Sequence, residues 1–97
     1  MYKKNQYIIV RSEKAGVFAG YFHSKDGNAV TLTNARRLWY WKGAASLSQM
    51  ATSGTSDPQG CKFPIAVEKV ELFGVIEILN TTPLAKQSIE GVSLWIS

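Results

Sequence analysis

Val17-Phe18-Ala19-Gly20-Tyr21-Phe22-His23-Ser24-Lys25-Asp26-Gly27-Asn28-Ala29-Val30-Thr31-Leu32-Thr33 decides the fold. Two runs of strand-forming residues flank Asp-Gly, a strong short-range hairpin signal, so the chain is built on an antiparallel ribbon. Period two places Val17, Ala19 and Tyr21 on one face of the first run and Phe18, Gly20 and Phe22 on the other. Gly20 within the strand marks a bulge, or a point where another backbone or a ligand comes close.

Working outward, Tyr7-Ile8-Ile9-Val10-Arg11 reads as a buried first strand, and Lys14-Ala15-Gly16 as the turn into the second. Downstream, Asn34-Ala35 breaks the third strand before Arg36 to Trp41 continues as a further one. Regular alternation there sets Arg36, Leu38, Tyr40 and Lys42 against Arg37, Trp39 and Trp41. A short helix is expected to start near Gly43 or Ala44 and to end at Thr52-Ser53-Gly54, before the polar loop Thr55 to Gly60. Lys62 to Val67 restarts extended structure, and Val70 to Leu79 is one bent strand or two joined at Gly74. Thr82 caps a final helix with Pro83 in its first turn. Its inner stripe is Leu84, Gln87 or Ser88, and Ile89, and Gly91 ends it. Val92 to Ile96 returns as a last strand. The expected fold is α+β: a small, curved, barrel-like antiparallel sheet with two short helices, residues 1–97 forming a single domain.

The composition narrows the function classes. With 97 residues, 45% hydrophobic and 19% charged, the chain has the makeup of one folded domain. It has no apolar run of about 18 residues and no signal-peptide h-region, so a cytoplasmic protein with no membrane partner is expected. One cysteine, Cys61, and one histidine, His23, are too few for a zinc site and make a catalytic Cys–His pair a remote prospect. No metal, cofactor or acid–base machinery is expected, and the chain reads as a binding protein rather than an enzyme. The net charge of +4 is uneven. Residues 1–42 carry eight Lys/Arg against Glu13 and Asp26, or +6, while residues 43–97 carry three Lys against five acids, or −2. That asymmetry favours phosphate, though without the density that duplex DNA binding requires.

The candidate site falls in the basic half. Trp39, Tyr40 and Trp41 offer faces for stacking on bases, and Arg36 and Arg37 offer partners for phosphate. Gly43 and Ala44 let backbone N–H groups approach an anion, and Ser46 and Ser48 add hydroxyls beside a helix start. Each feature has a structural alternative: tryptophans in a core or interface, Arg36 as solvated charge, and Ser46 and Ser48 as ordinary helix-end serines.

The run Asn34-Ala35-Arg36-Arg37-Leu38-Trp39-Tyr40-Trp41, followed by Gly43-Ala44-Ala45-Ser46-Leu47-Ser48-Gln49, resembles a family of small proteins encoded by tailed phages. Cys61-Lys62-Phe63-Pro64, Val75-Ile76-Glu77-Ile78 and Ser93-Leu94-Trp95 resemble it too, so the likeness covers nearly the whole chain. It implies a phage protein acting in the cytoplasm of an infected bacterial host, from a family that is largely an uncharacterised domain. In size, lack of catalytic residues and basic–aromatic content the chain is also similar to phage anti-defence sponges of the anti-CBASS type. That likeness implies sequestration of a cyclic dinucleotide such as cyclic GMP-AMP by a homo-oligomer, dimer or tetramer. In that arrangement Trp39 or Trp41 would stack, Arg36 or Arg37 would meet phosphate, and Ser46 and Ser48 would meet phosphate or ribose. The alternatives are a host-takeover factor that binds a host protein through an aromatic patch, and a weak single-stranded nucleic-acid binder.

Overall fold

The computed structural model describes residues 2–96. The elements run β1 (Tyr7–Ser12), β2 (Gly16–Asp26), β3 (Ala29–Arg37), α1 (Leu47–Ser53), a 3-10 turn (Pro58–Gly60), β4 (Val67–Leu72), β5 (Val75–Asn80) and α2 (Pro83–Gly91). One five-stranded antiparallel sheet carries the strands in the order β4-β3-β2-β1-β5. The Asp26-Gly27 signal becomes the β2–β3 hairpin, with Asp26 paired to Ala29 and Gly27 at φ 59°.

β4 and β5 are joined by only Phe73 and Gly74, yet they lie at opposite edges of the sheet. A two-residue link can do this only if the sheet curls until its edges approach. Gly74 takes φ 67° in the link. Ser12 Oγ donates to the Phe73 carbonyl at 2.5 Å, the Glu13 N–H to the Gly74 carbonyl at 3.0 Å, and the Val75 N–H to the Asn28 carbonyl at 3.0 Å. The sheet is strongly curved in this way but not closed, because no ladder joins β4 to β5 among the described residues.

Curling gives two cores. Ile8, Val10, Phe18, Val30, Leu32, Ala35 and Leu72 bury one another on one face. Tyr7, Ile9, Ala19, Leu38, Met50, Phe63, Ile89 and Val92 fill the other, where α1 and α2 pack. The face assignment expected for β2 holds, with Phe18 and Ala19 falling into different cores.

The break expected at Asn34-Ala35 is a bulge within β3. Ala19 pairs with Arg36 and Tyr21 with Thr33, so three steps on β3 match two on β2, and Asn34 takes φ 45°. Gly20 lies opposite the extra residue, where a Cβ would come within 2.7 Å of the Ala35 Cβ. The extra residue shifts the pleat phase. Leu32 and Ala35, an odd number of positions apart, share one core, and Arg36 turns toward the helices.

Several boundaries differ from the expectation. β3 stops at Arg37 rather than continuing to Trp41, because β2 begins at Gly16 and the Leu38 N–H to Val17 carbonyl bond ends the available edge. Beyond it Tyr40 makes only an isolated bridge with Lys62. α1 begins at Leu47, with Ser46 as its N-cap. The last strand reduces to a bridge between Phe63 and Leu94. In α2 the Thr82 cap and Pro83 are as expected, but the buried positions are Ala85 and Ile89, and Leu84 is exposed.

Candidate functional site

Arg36 is 8% exposed, so its expected role as solvated charge does not hold. Turned inward by the bulge, it reaches four backbone carbonyls. Nη1 donates to Ile89 at 3.1 Å and to Val92 at 2.8 Å, Nη2 to Phe63 at 2.7 Å, and Nε to Pro64 at 3.3 Å. Two of these acceptors lie at the C-terminal end of α2, where orphan carbonyls and the helix dipole favour a cation. Its guanidinium carbon also lies 5.5 Å from the centroid of the Phe63 ring. Burial lowers its pKa from the ordinary guanidinium value, and Tyr7 opposes that shift.

Behind this guanidinium an open cleft of about 570 Å³ lies between the bulge, α2 and the segments carrying Ile65 and Leu94. Asn5, Tyr7, Tyr21, Thr33, Asn34, Arg36 and Glu90 supply its polar lining. Asn5 at φ 70° and Asn34 at φ 45° are the two non-glycine residues with positive φ among the described residues, and both face this cleft. Such conformations concentrate where a site fixes the backbone.

The Tyr21 hydroxyl donates to Glu90 Oε2 at 2.5 Å. Tyr7 and Tyr21 meet edge to face with centroids 5.0 Å apart. Tyr7 is 6% exposed, and its hydroxyl has no partner among the described residues. Among the described residues no fully buried side-chain oxygen lacks a partner, so this hydroxyl is not sealed in the core and reaches the cleft that Tyr7 lines. Burial, then the Glu90 charge, then Tyr21 push the Tyr7 phenol well above its ordinary 10.0. Burial and then the Glu90 hydrogen bond push Tyr21 up to about 12. Both phenols therefore keep their protons at neutral pH and act as hydrogen-bonding groups rather than proton shuttles.

Of the residues expected from sequence to form the site, only Arg36 lines this cleft. Arg37 donates to the Ala15 carbonyl and stacks 4.4 Å from the centroid of the Phe18 ring. Trp39 is 63% exposed, while Trp41 is half-buried against the helix-side core, so the two do not form one stacking face. Tyr40 lies beside Lys62, whose Nζ sits 5.5 Å from the Tyr40 ring and 5.7 Å from the Trp95 ring. Gly43, at φ 79°, packs against the backbone of Ser56 and Asp57 and accepts from the Ser56 N–H at 3.0 Å. Ala44 packs on the helix-side core. Ser46 Oγ accepts from the Gln49 N–H at 3.1 Å and caps α1, and Gln49 Oε1 accepts from the Ala45 N–H at 2.9 Å, one residue before the cap. Ser48 is exposed and accepts from Thr52 through its carbonyl. Sequence reasoning missed Tyr7, Tyr21 and Glu90. Their meeting depends on contacts spanning 69 residues, and the one local signal was a tyrosine opening a buried run.

No helix among the described residues is long and apolar enough to cross a membrane. A family model described as Domain of unknown function (DUF6948) matches residues 5–89, and the chain belongs to that family. No curated protein and no solved structure matches the chain.

Proposed function

We propose that this member of the DUF6948 family sequesters a purine nucleotide of the cyclic dinucleotide class in the Arg36 cleft without cleaving it. The observation that carries this reading is the lining of the cleft. Protonated phenols, a carboxylate and amides converge there beside the apolar side chains of Ile65 and Leu94, the mixture a planar heterocycle with polar edges needs. Lys86 supplies charge at the rim, its Nζ 5.3 Å from the Tyr21 ring centroid, where a phosphate would emerge. A single open cleft covers one nucleotide half, so a homo-oligomer presenting two clefts suits a ligand with two bases. The phage setting belongs to the same reading. Holding an immune signal in the host cytoplasm would blunt bacterial anti-phage defence without chemistry.

A second reading, a host-protein contact, is favoured by the exposure of Trp39. Aromatic side chains left in solvent are common anchors of protein interfaces.

Thermal melting against a panel of cyclic di- and trinucleotides, with AMP and linear oligonucleotides as controls, tests the first reading. A ligand at 100 times its dissociation constant stabilises the fold by about 2.7 kcal/mol, a clear rise in melting temperature. The expected result is a shift with a cyclic class alone and recovery of intact ligand. A flat panel overturns the reading and directs attention to pull-downs from a bacterial host.

A further inference from the structure

We infer that the cleft reads the lactam edge of a guanine base, with Glu90 accepting its N–H groups and Tyr7 donating to its carbonyl oxygen. The inference rests on the reading of the cleft as a nucleotide site and names the base it selects.

The fold leaves several polar atoms of the cleft with hydrogen-bonding capacity to spare. Glu90 Oε2 receives the Tyr21 hydroxyl at 2.5 Å. Its Oε1 forms a solvent-exposed ion pair with Lys86 Nζ at 4.0 Å, too long for a hydrogen bond, so Oε1 keeps its acceptor capacity and Oε2 keeps a second lone pair. Tyr7 presents an unpartnered donor from an otherwise buried side chain. Arg36 has five N–H donors, of which four are engaged by carbonyls, so its charge lies behind the same space. The cleft thus combines a carboxylate acceptor with a hydroxyl donor backed by a cation.

Guanine carries the complement: two adjacent N–H donors, at N1 and the 2-amino group, beside the O6 acceptor. Adenine turns its N1 lone pair toward the carboxylate, which repels it, and its 6-amino group can satisfy only one acceptor. Edge pairings of this kind discriminate between bases by roughly tenfold to a hundredfold. Ile65 and Leu94 supply the apolar side chains that a flat ring packs against.

Isothermal titration of the intact chain with GMP, IMP and AMP, and with cyclic di-GMP and cyclic di-AMP, tests the inference. Guanine ligands are expected to bind about tenfold or more tightly than their adenine counterparts, with IMP, which lacks the 2-amino group, between GMP and AMP. Glu90→Gln keeps an acceptor for Tyr21, so its melting temperature should stay close to that of the parent while the guanine preference shrinks to about threefold or less. Tyr7→Phe removes the hydroxyl alone and should weaken guanine binding about fivefold. Equal affinity for guanine and adenine overturns the inference and leaves the nucleotide reading standing. A guanine preference that survives Glu90→Gln overturns the role given to Glu90. Absence of binding to every nucleotide overturns both readings together.

Discussion

In the segment that starts α1 the chain turns the Gly43 carbonyl and the Ser46 hydroxyl onto its own backbone, whereas the cleft behind Arg36 leaves a phenol and a carboxylate oxygen with hydrogen-bonding capacity to spare. In the segment, Gly43 bonds the 55–57 loop, Ser46 caps α1 and Gln49 returns to Ala45. In the cleft, the Tyr7 hydroxyl has no hydrogen-bond partner among the described residues, and Glu90 Oε1 has only a long ion pair with Lys86, 4.0 Å away. Both regions carry aromatic, hydroxyl and cationic side chains. The difference shows that residue type identifies a group able to bind a ligand, while the fold decides whether that group is still available.

Arg36 and Arg37 put the comparison to its strongest test, because adjacent arginines lie on its two sides. Arg36→Leu removes four hydrogen bonds and, among the described residues, leaves the Val92 and Pro64 carbonyls without a donor, while Ile89 and Phe63 keep those of the Val92 and Trp95 N–H groups; it should cost about 3 kcal/mol of stability in urea unfolding. Arg37→Leu gives up one carbonyl and a stack on Phe18, and should cost about 1 kcal/mol. Equal losses would mean that Arg36 is not the strut that fixes α2 to the bulge, and the cleft would lose its rigid floor.

Ser46→Ala probes the helix-start region instead. It removes an N-cap acceptor and should cost about 1 kcal/mol, read as a lower urea midpoint with unchanged slope. Nucleotide affinity per folded molecule should not change. A large loss of affinity with full stability would restore the helix start to the site.

How far the sequence carried the reading depends on the range of each contact. The β2–β3 hairpin and the Thr82-Pro83 helix start were legible because Asp26-Gly27 and the capping residues act on their own backbone. Asn34 was legible as an interruption, but its effect on the pleat, and so on the direction of Arg36, depends on what β2 places opposite it. Phe73-Gly74 looks locally like the turn of a hairpin or the bend of one strand. Its actual partners, Ser12 and Glu13, come from the end of β1, which lies beside β5 and is far from β4 across the sheet. The cleft was the least legible feature, because Tyr7, Asn34 and Glu90 are scattered across the chain and none stands out in its own neighbourhood.

Trp39 gives the smallest expected effect on stability and the sharpest division between the two proposed functions. At 63% exposed it contributes little buried area, so Trp39→Ala should change stability by no more than about 0.5 kcal/mol. It does not line the cleft, so nucleotide binding there should be unaffected. A protein partner gripping this face would respond very differently, since a tryptophan anchor at the centre of an interface carries about 2 kcal/mol or more of the binding energy. Measured on the same variant, intact nucleotide affinity supports the cleft. A lost nucleotide response would extend the ligand contact to residue 39. Loss of a captured host protein, in a chain that binds no nucleotide, would make the exposed indole the functional group and reduce the cleft to a by-product of the bulge.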